Sequence, residues 1–404
     1  MTNDRYIPGM TTLAHTTAIR HALSAKNSDA VAQAIANAVQ SDVVPMDTVQ
    51  VALDWLVTQP ARAHVGALQQ AVTALGRVAL ALSGGASLGF FHMGVIKALH
   101  ENNALPDLIS GSSIGAMVAA GIGVRTDDEL DTLFRDIHHM RRDGIAFAGV
   151  RQMLKTGAVL CPEQLTRVLT HNIGDHTFAE AYGRTGRTLA ITVSPTTNGQ
   201  TPLLLTYNNA PDTTVLHSVL ASSALPGLFP PTRLRTRTPD GRRTITAERW
   251  ADGSLRYDVP RDALRDEHGA GLVIASQTNI HVLPFAAGGR VLRSLGKTRS
   301  TARQLLRLPR HLSRRTPLGP SLHHLHDLVG QNYRGDIDIV PRLRPSSVIR
   351  VVKNPSLDEL RAYIQEGMTS TLPELPRIQT ALRIRRSLRA AIESMTVSVA
   401  HAAK

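Results

Sequence analysis

Twice between residues 77 and 123 the chain repeats one design: a short apolar run, a turn crowded with glycine, then a helical pattern. The first instance is RVALALSGG running into LGFFHMGVIKALHENN; the second is DLISGSSIGAMVAAGIG. A brief apolar run bounded by glycine reads as a strand buried on both faces. TLAITVSP, PLLLTY and GLVIASQ read as further strands, with helical patterns between some of them. Strands and helices in alternation predict an α/β domain with a largely parallel sheet. Flanking it, residues 1–75 read as helical. There DAVAQAIANAVQ and VGALQQAVTAL repeat apolar positions at helical spacing, and glycine is nearly absent. LDELRAYIQEGM and IQTALRIRRSLRAAIESM predict helices near the other end. No internal repeat and no long flexible linker interrupts this plan.

Both glycine turns spell G-x-S-x-G, as Gly85-Ala86-Ser87-Leu88-Gly89 and Gly111-Ser112-Ser113-Ile114-Gly115. A serine hydroxyl is a poor nucleophile unless it is exposed, oriented and beside a base. A sharp strand-to-helix turn lifts it clear, and flanking glycines let the backbone pass without a Cβ clash. The helix that follows favours developing negative charge at its N-terminus. A structural glycine turn would carry the same spelling, and the pattern alone does not say which serine attacks. The Gly84-Gly85 doublet suggests that the first turn offers bare backbone N–H groups, as an oxyanion hole needs. That division leaves Ser113 as nucleophile and residues 84–86 as its electrostatic partner, and spacing arguments allow the reverse.

A base is required. WADGSLRYDVP places Asp252 before Gly253 in a turn of small and polar residues. An ordinary surface turn or a hairpin would use the same dipeptide. His281, in SQTNIHVLPF, is a rival, because the order Ser113, Asp252, His281 satisfies the chain order of a hydrolase triad. From spacing, dyad and triad both stand.

Taken in order, GRVALALSGGASLGFFHMGVIKAL, ISGSSIGAMVAA, ASSALPGLFPP and WADGSLRYDVP closely resemble the signature blocks of patatin-like lipases. GDHTFAEAYGRTGRTLAITVSP, VIASQTNIHVLPF and QNYRGDIDIVP look similar to the triacylglycerol lipase branch of fungi and plants, which carries an extra helical N-terminal region. The resemblance runs over roughly residues 50–395, and several ordered blocks together are a specific signal. It implies a three-layer α/β/α fold and a Ser–Asp dyad rather than a triad. On this footing Ser113 is the nucleophile, Asp252 the general base, and Gly84, Gly85 and Ala86 the oxyanion segment. Gly89, Gly111, Gly115 and Gly253 support the motifs, and His281 carries no catalytic role. Two positions depart from the plant patatin pattern: Ala86 stands for its third glycine and Leu88 for its usual arginine. Ala86 keeps an N–H, and the missing arginine fits the neutral-lipid branch better than a phosphate headgroup. Ser254, after Asp252-Gly253, is common in that branch.

Charge adds a second theme. Of 45 cations only six are Lys, and the net charge is +13. Nine cations and no acid fall between Ala286 and His326, leaving +4 for everything else. Within that segment Arg299, Arg303, Arg307, Arg310 and Arg314 recur at helical spacing, with Leu305, Leu308 and Leu312 roughly opposite. Such a face suits anionic lipid surfaces, although Pro309 kinks it into two short helices. A solvated insert would look the same. The segment holds no Phe, Tyr or Trp, so it lacks the stacking platforms of single-strand nucleic-acid binders, and no nucleic acid is expected. His323, His324 and His326 read as a solvated cluster rather than a metal site.

One cysteine, Cys161, excludes an intrachain disulfide framework and a Cys-rich zinc module. No apolar run approaches the roughly 18 residues that span a bilayer, and the first residues lack the order of a secretory signal. The expectation is a cytoplasmic protein, or a peripheral one on membranes or lipid droplets, with no metal and no cofactor implied. The expected organisation is a helical region at 1–75, a catalytic domain at 76–285, a basic membrane-contacting insert at 286–326, and a C-terminal strand and helices at 327–404. The leading activity is hydrolysis of acyl esters of lipids, triacylglycerol first. A phospholipase A, lysophospholipase or acyltransferase on the same site is the enzymatic alternative. A catalytically silent lipid- or membrane-binding protein is the alternative from another class.

Overall fold

Long-range packing divides the chain into two units, one of residues Met1–Val78, Arg265–Leu272 and Leu375–Lys404, the other of Ala79–Leu264 and Val273–Glu374. The computed structural model describes residues 8–39, 46–59, 63–136, 159–197, 200–279, 334–342 and 354–402. His281, the basic segment 286–326 and the histidines within it lie outside the described residues.

The first unit is helical. It begins with α1 (Pro8–Ser24), α2 (Ser28–Val39), α3 (Met46–Val57) and α4 (Ala63–Leu75). Ile19, Val31, Ile35, Val49, Leu53, Leu56 and Leu68 bury one stripe of each helix in a common core, as amphipathic helices must. The core is closed by Ile384, Leu388, Ala391 and Met395 from the last described helix, Leu375–Ala402. Arg385 of that helix donates from Nε to the Gly76 carbonyl at 2.6 Å and from Nη2 to the Leu75 carbonyl at 2.5 Å. The cation thus satisfies carbonyls left over at the end of α4, and burial lowers its pKa to about 10.

The second unit is built on a sheet. In chain order it contains β1 (Arg77–Leu82), which enters from the first unit, a 3-10 turn at Ala86–Phe90, α5 (Phe91–Glu101), β2 (Leu108–Gly111) and α6 (Ile114–Gly123). Then come α7 (Asp127–Arg135), α8 (Pro162–Ile173), α9 (Phe178–Thr185), β3 (Thr188–Pro195), β4 (Leu203–Leu205) and α10 (Val215–Ser222). A small hairpin of β5 (Arg235–Arg237) and β6 (Arg243–Ile245) precedes β7 (Trp250–Asp252), a 3-10 turn at Gly253–Leu255, and α11 (Arg261–Asp266). β8 (Ala270–Ser276), β9 (Ile337–Ile339) and α12 (Leu357–Thr371) follow, and the Leu375–Ala402 helix of the first unit is α13.

The strand order is β4-β3-β2-β1-β8-β9, with β7 also paired to β3. β1/β2, β2/β3 and β8/β9 run parallel; β4 and β7 run antiparallel to β3. The mainly parallel α/β sheet with helical regions at both ends is therefore the architecture expected from the glycine turns. Every residue of β2 and β3 is buried, which is why these strands are written as near-continuous apolar runs. Among the described residues capping boxes start three helices, at Thr126/Glu129, Thr177/Glu180 and Ser356/Glu359, each turning unpaired N–H groups into bonded ones. Among the described residues no helix is long and apolar enough to cross a membrane.

Candidate active site

The register of β1 on β2 sets the site. Leu82 lies opposite Gly111, so the two glycine turns leave the sheet side by side at the carboxyl ends of their strands. In open α/β sheets that is where reacting groups gather.

The turn after β2 is a single sharp step. Ser113 has φ 55° and ψ −122° and passes directly into α6. A side chain in that region costs about 1–3 kcal/mol and needs outside support. Support comes from both flanks. The Ser112 N–H donates to the Leu82 carbonyl at 3.0 Å, and the Ser113 N–H donates to Ser222 Oγ at 3.0 Å. The buried Ser112 hydroxyl donates to the Asp258 carbonyl at 2.7 Å and lies 2.5 Å from Thr192 Oγ1. Gly111 and Gly115 are required by close approach: a Cβ on the first would sit 2.3 Å from the Gly115 carbonyl, and on the second 2.2 Å from the Leu82 carbonyl. Gly89 faces Ile114 from the neighbouring turn, again with no room for a side chain. The outcome is that Ser112 is buried while Ser113 remains half-buried, its hydroxyl at the N-terminus of α6.

Asp252 reaches the same place from the other side. It ends β7, opposite Val193 of β3, and its N–H donates to the Ala224 carbonyl at 3.1 Å. Its carboxylate accepts the Ser254 N–H at 2.9 Å and the Ser254 hydroxyl at 2.8 Å, and the Ser113 side chain lies near enough to lower its pKa. Only 1% of the residue is exposed. Burial raises its pKa to about 6, against the influence of Ser113 and Ser254, which lower it. Gly253 lets the turn press onto β3, since a Cβ there would lie 2.1 Å from Thr192 Oγ1. The fold therefore joins Ser113 and Asp252, residues far apart in the chain. A hydroxyl brought beside a carboxylate whose pKa is raised toward neutrality can pass its proton to that carboxylate as it attacks.

The turn after β1 has a different shape. Gly85 (φ 155°) and Ala86 (φ 47°) both leave the usual backbone regions before the 3-10 turn begins. Ser87 of the first G-x-S-x-G is buried, whereas Gly85 and Ala86 are half-buried. The Gly84 N–H donates to Asp258 Oδ1 at 2.7 Å, so one of the three expected oxyanion donors is engaged inside the protein. Ala86 opens a helical turn, whose first N–H groups have no partner within the turn itself. Behind the segment, Thr278 Oγ1 donates to the Gly84 carbonyl at 2.9 Å. His92 lies beneath it, with Nε2 3.0 Å from the Ser83 carbonyl and Nδ1 2.7 Å from Ser276 Oγ. Burial holds this imidazole at a pKa of about 4, so it is neutral, with the proton assigned to Nε2 by its carbonyl partner.

Asp258, Ser222, Thr278, Asn279 and His92 thus belong to the site without having been singled out from the sequence. The one trace of Asp258 was a second acid in the block WADGSLRYDVP, and Ser222 stood in ASSALPGLFPP beside the apolar loop. That loop follows Ala224, the partner of Asp252, and carries half-buried Leu225, Leu228 and Phe229. Among the described residues no group of three or more His, Cys, Asp or Glu is arranged to hold a metal ion.

Residues 80–265 match the family model described as patatin-like phospholipase. Over 344 residues the chain is 35% identical to a patatin-like phospholipase domain-containing protein of Coccidioides immitis, covering 78% of this chain and 46% of that one. Triacylglycerol lipase SDP1L of Arabidopsis thaliana is 32% identical over 341 residues, covering 78% of this chain and 42% of its own length. Triacylglycerol lipase ptl3 of Schizosaccharomyces pombe is 35% identical over 320 residues, with 74% and 66% covered. The chain spans about half the length of most of these relatives.

Proposed function

Because the match of residues 80–265 and relatives up to 35% identical together make this chain a member of the patatin-like phospholipase family, we propose that it is a serine esterase that cleaves acyl esters of lipids. The observation that carries the reading is the meeting of the half-buried Ser113 side chain with buried Asp252, close enough to lower the carboxyl's pKa. Asp252 takes the proton of Ser113 as the oxygen attacks the ester carbonyl. The N–H groups of Gly85 and Ala86 hold the oxyanion; losing one such donor typically costs about 3–4 kcal/mol in the barrier. Collapse of the tetrahedral intermediate expels the alcohol, which takes the proton from Asp252. Water then attacks the acyl-Ser113 ester, again through Asp252, and releases the fatty acid. Leu225, Leu228 and Phe229 would line the acyl chain.

Triacylglycerol is the favoured substrate, supported by the two relatives named triacylglycerol lipases and by Leu88 in place of the arginine of plant patatins. A lipid panel tests this: fatty acid release from triolein should exceed release from phosphatidylcholine, and Ser113→Ala should abolish both. Dominant phospholipid cleavage, or acyl groups recovered on added diacylglycerol, would favour the phospholipase or acyltransferase alternative. A fluorophosphonate probe separates an enzyme from a silent binding protein, since only an activated Ser113 is labelled. On this reading 76–285 is the catalytic domain, and the basic segment 286–326 brings it, from the cytoplasm, onto membranes or lipid droplets. Co-sedimentation with anionic vesicles should then weaken with salt and with Arg303/Arg307/Arg310→Ser.

A further inference from the structure

We propose that Asp258 is a positioning residue that fixes the oxyanion turn against the serine elbow. The inference rests on the esterase reading above and concerns a residue that the reaction itself does not consume. Three separate loops converge on Asp258. Its Oδ1 accepts the Gly84 N–H at 2.7 Å. Its Oδ2 accepts Nδ2 of Asn279, just beyond β8, at 2.8 Å. Its main-chain carbonyl accepts the Ser112 hydroxyl, one residue before Ser113, at 2.7 Å. One residue therefore bonds the peptide preceding the Gly85 and Ala86 donors and the side chain of the residue preceding the nucleophile.

The residue type follows from this geometry. Both carboxylate oxygens accept, from two donors that approach from different loops, and an amide in the same place offers only one acceptor. The residue is wholly buried, where a carboxylate is costly unless hydrogen-bonded; burial, with a smaller contribution from nearby Asp252, raises its pKa to about 7 against the Gly84 and Asn279 hydrogen bonds, which lower it. The turn it holds has little other freedom. Gly85 is pressed against Thr278, where a Cβ would lie 2.3 Å from Oγ1, and Thr278 is itself bonded to the Gly84 carbonyl. Displacing such a turn by even about 1 Å takes its N–H groups off the developing oxyanion, and misplacements of that size cost on the order of 100-fold.

The test is steady-state kinetics on a p-nitrophenyl ester and on emulsified triolein, with thermal melting measured on each variant. Asp258→Ala should lower kcat about 100-fold with KM changed less than about threefold. Asp258→Asn keeps one acceptor for Gly84 and should recover to within about tenfold of wild type. Asn279→Ala frees only Oδ2 and should cost less than Asp258→Ala. A role confined to stability would instead lower the melting temperature and leave kcat of the folded fraction intact, and that result overturns the proposal. So does a loss carried by KM. If Asp258→Ala does not fold, Asp258→Asn and Asn279→Ala decide, and wild-type kcat in both overturns it. Inactive wild-type protein would remove the esterase reading and this inference together; active wild type with inactive Ser113→Ala isolates the positioning role.

Discussion

The two glycine turns share a spelling, a strand before and a helix after, yet they present opposite chemistry. After β2 the backbone makes its whole change of direction at Ser113, and the hydroxyl emerges next to Asp252. After β1 the change is spread over Gly85 and Ala86, a 3-10 turn intervenes, and Ser87 faces inward. One turn offers a side chain and the other offers main chain. The difference is imposed by neighbours: Ser222 and Asp258 hold the second turn, while Asp258 and Thr278 pin the first. The five-residue motif describes where backbone must pass closely and leaves open which group reaches the surface.

The sharpest way to break this contrast is to remove each serine. Ser113→Ala should lower ester hydrolysis at least about 10³-fold and abolish fluorophosphonate labelling. Ser87→Ala should leave kcat within about twofold and cost at most about 1 kcal/mol of stability, measured by denaturant unfolding. Comparable losses from both would mean that the two turns are not divided in this way. Asp252→Asn should also cost about 10³-fold or more, because the amide cannot accept the proton. His281→Ala should retain most activity, and near-total loss in a folded protein would restore the triad.

The pH profile gives a smaller but signed effect. Under the proposed mechanism Asp252 acts as base only when ionised, and its pKa is raised to about 6. Log kcat/KM should be level above about pH 7 and fall with unit slope below about pH 6. Stability should move the other way. A buried acid with a raised pKa binds its proton more tightly folded than unfolded, so its contribution declines as pH rises from about 4 through 6. Asp252→Asn should therefore melt higher than wild type at pH 8 and lose that advantage by pH 4. The smallest effect belongs to Ala86→Gly. Relief of the positive φ and the greater freedom of the unfolded chain oppose each other, so kcat should change less than about threefold and stability by less than about 1 kcal/mol.

Much of the sheet was legible because β1, β2 and β3 are buried on both faces and must be written in apolar residues. The Ser113 elbow was legible for a similar reason, as the glycines that permit it are demanded by backbone contact. The roles of Gly84 and Ser87 were less so. Which N–H is taken inward depends on Asp258, 174 residues from Gly84 in the chain, and nothing local encodes that meeting. A motif of small residues shows where space is short, whereas a buried polar contact is specified jointly by both partners. The same holds for α13. Its amphipathic pattern predicts a helix with a buried stripe, and the stripe of Ile384, Leu388, Ala391 and Met395 does not say that α3 and α4 receive it.

That arrangement of α13 bears on how the protein is made. The first four helices leave the ribosome long before the segment that seals their core exists, so Leu53, Leu56 and Leu68 must wait, uncovered, while the whole sheet is synthesised. Nascent chains of this design have an early need for chaperone shielding. Stop codons ahead of residue 375 would strand α1–α4 in that sticky condition, a fault felt in these helices though the lesion lies far along the chain from them.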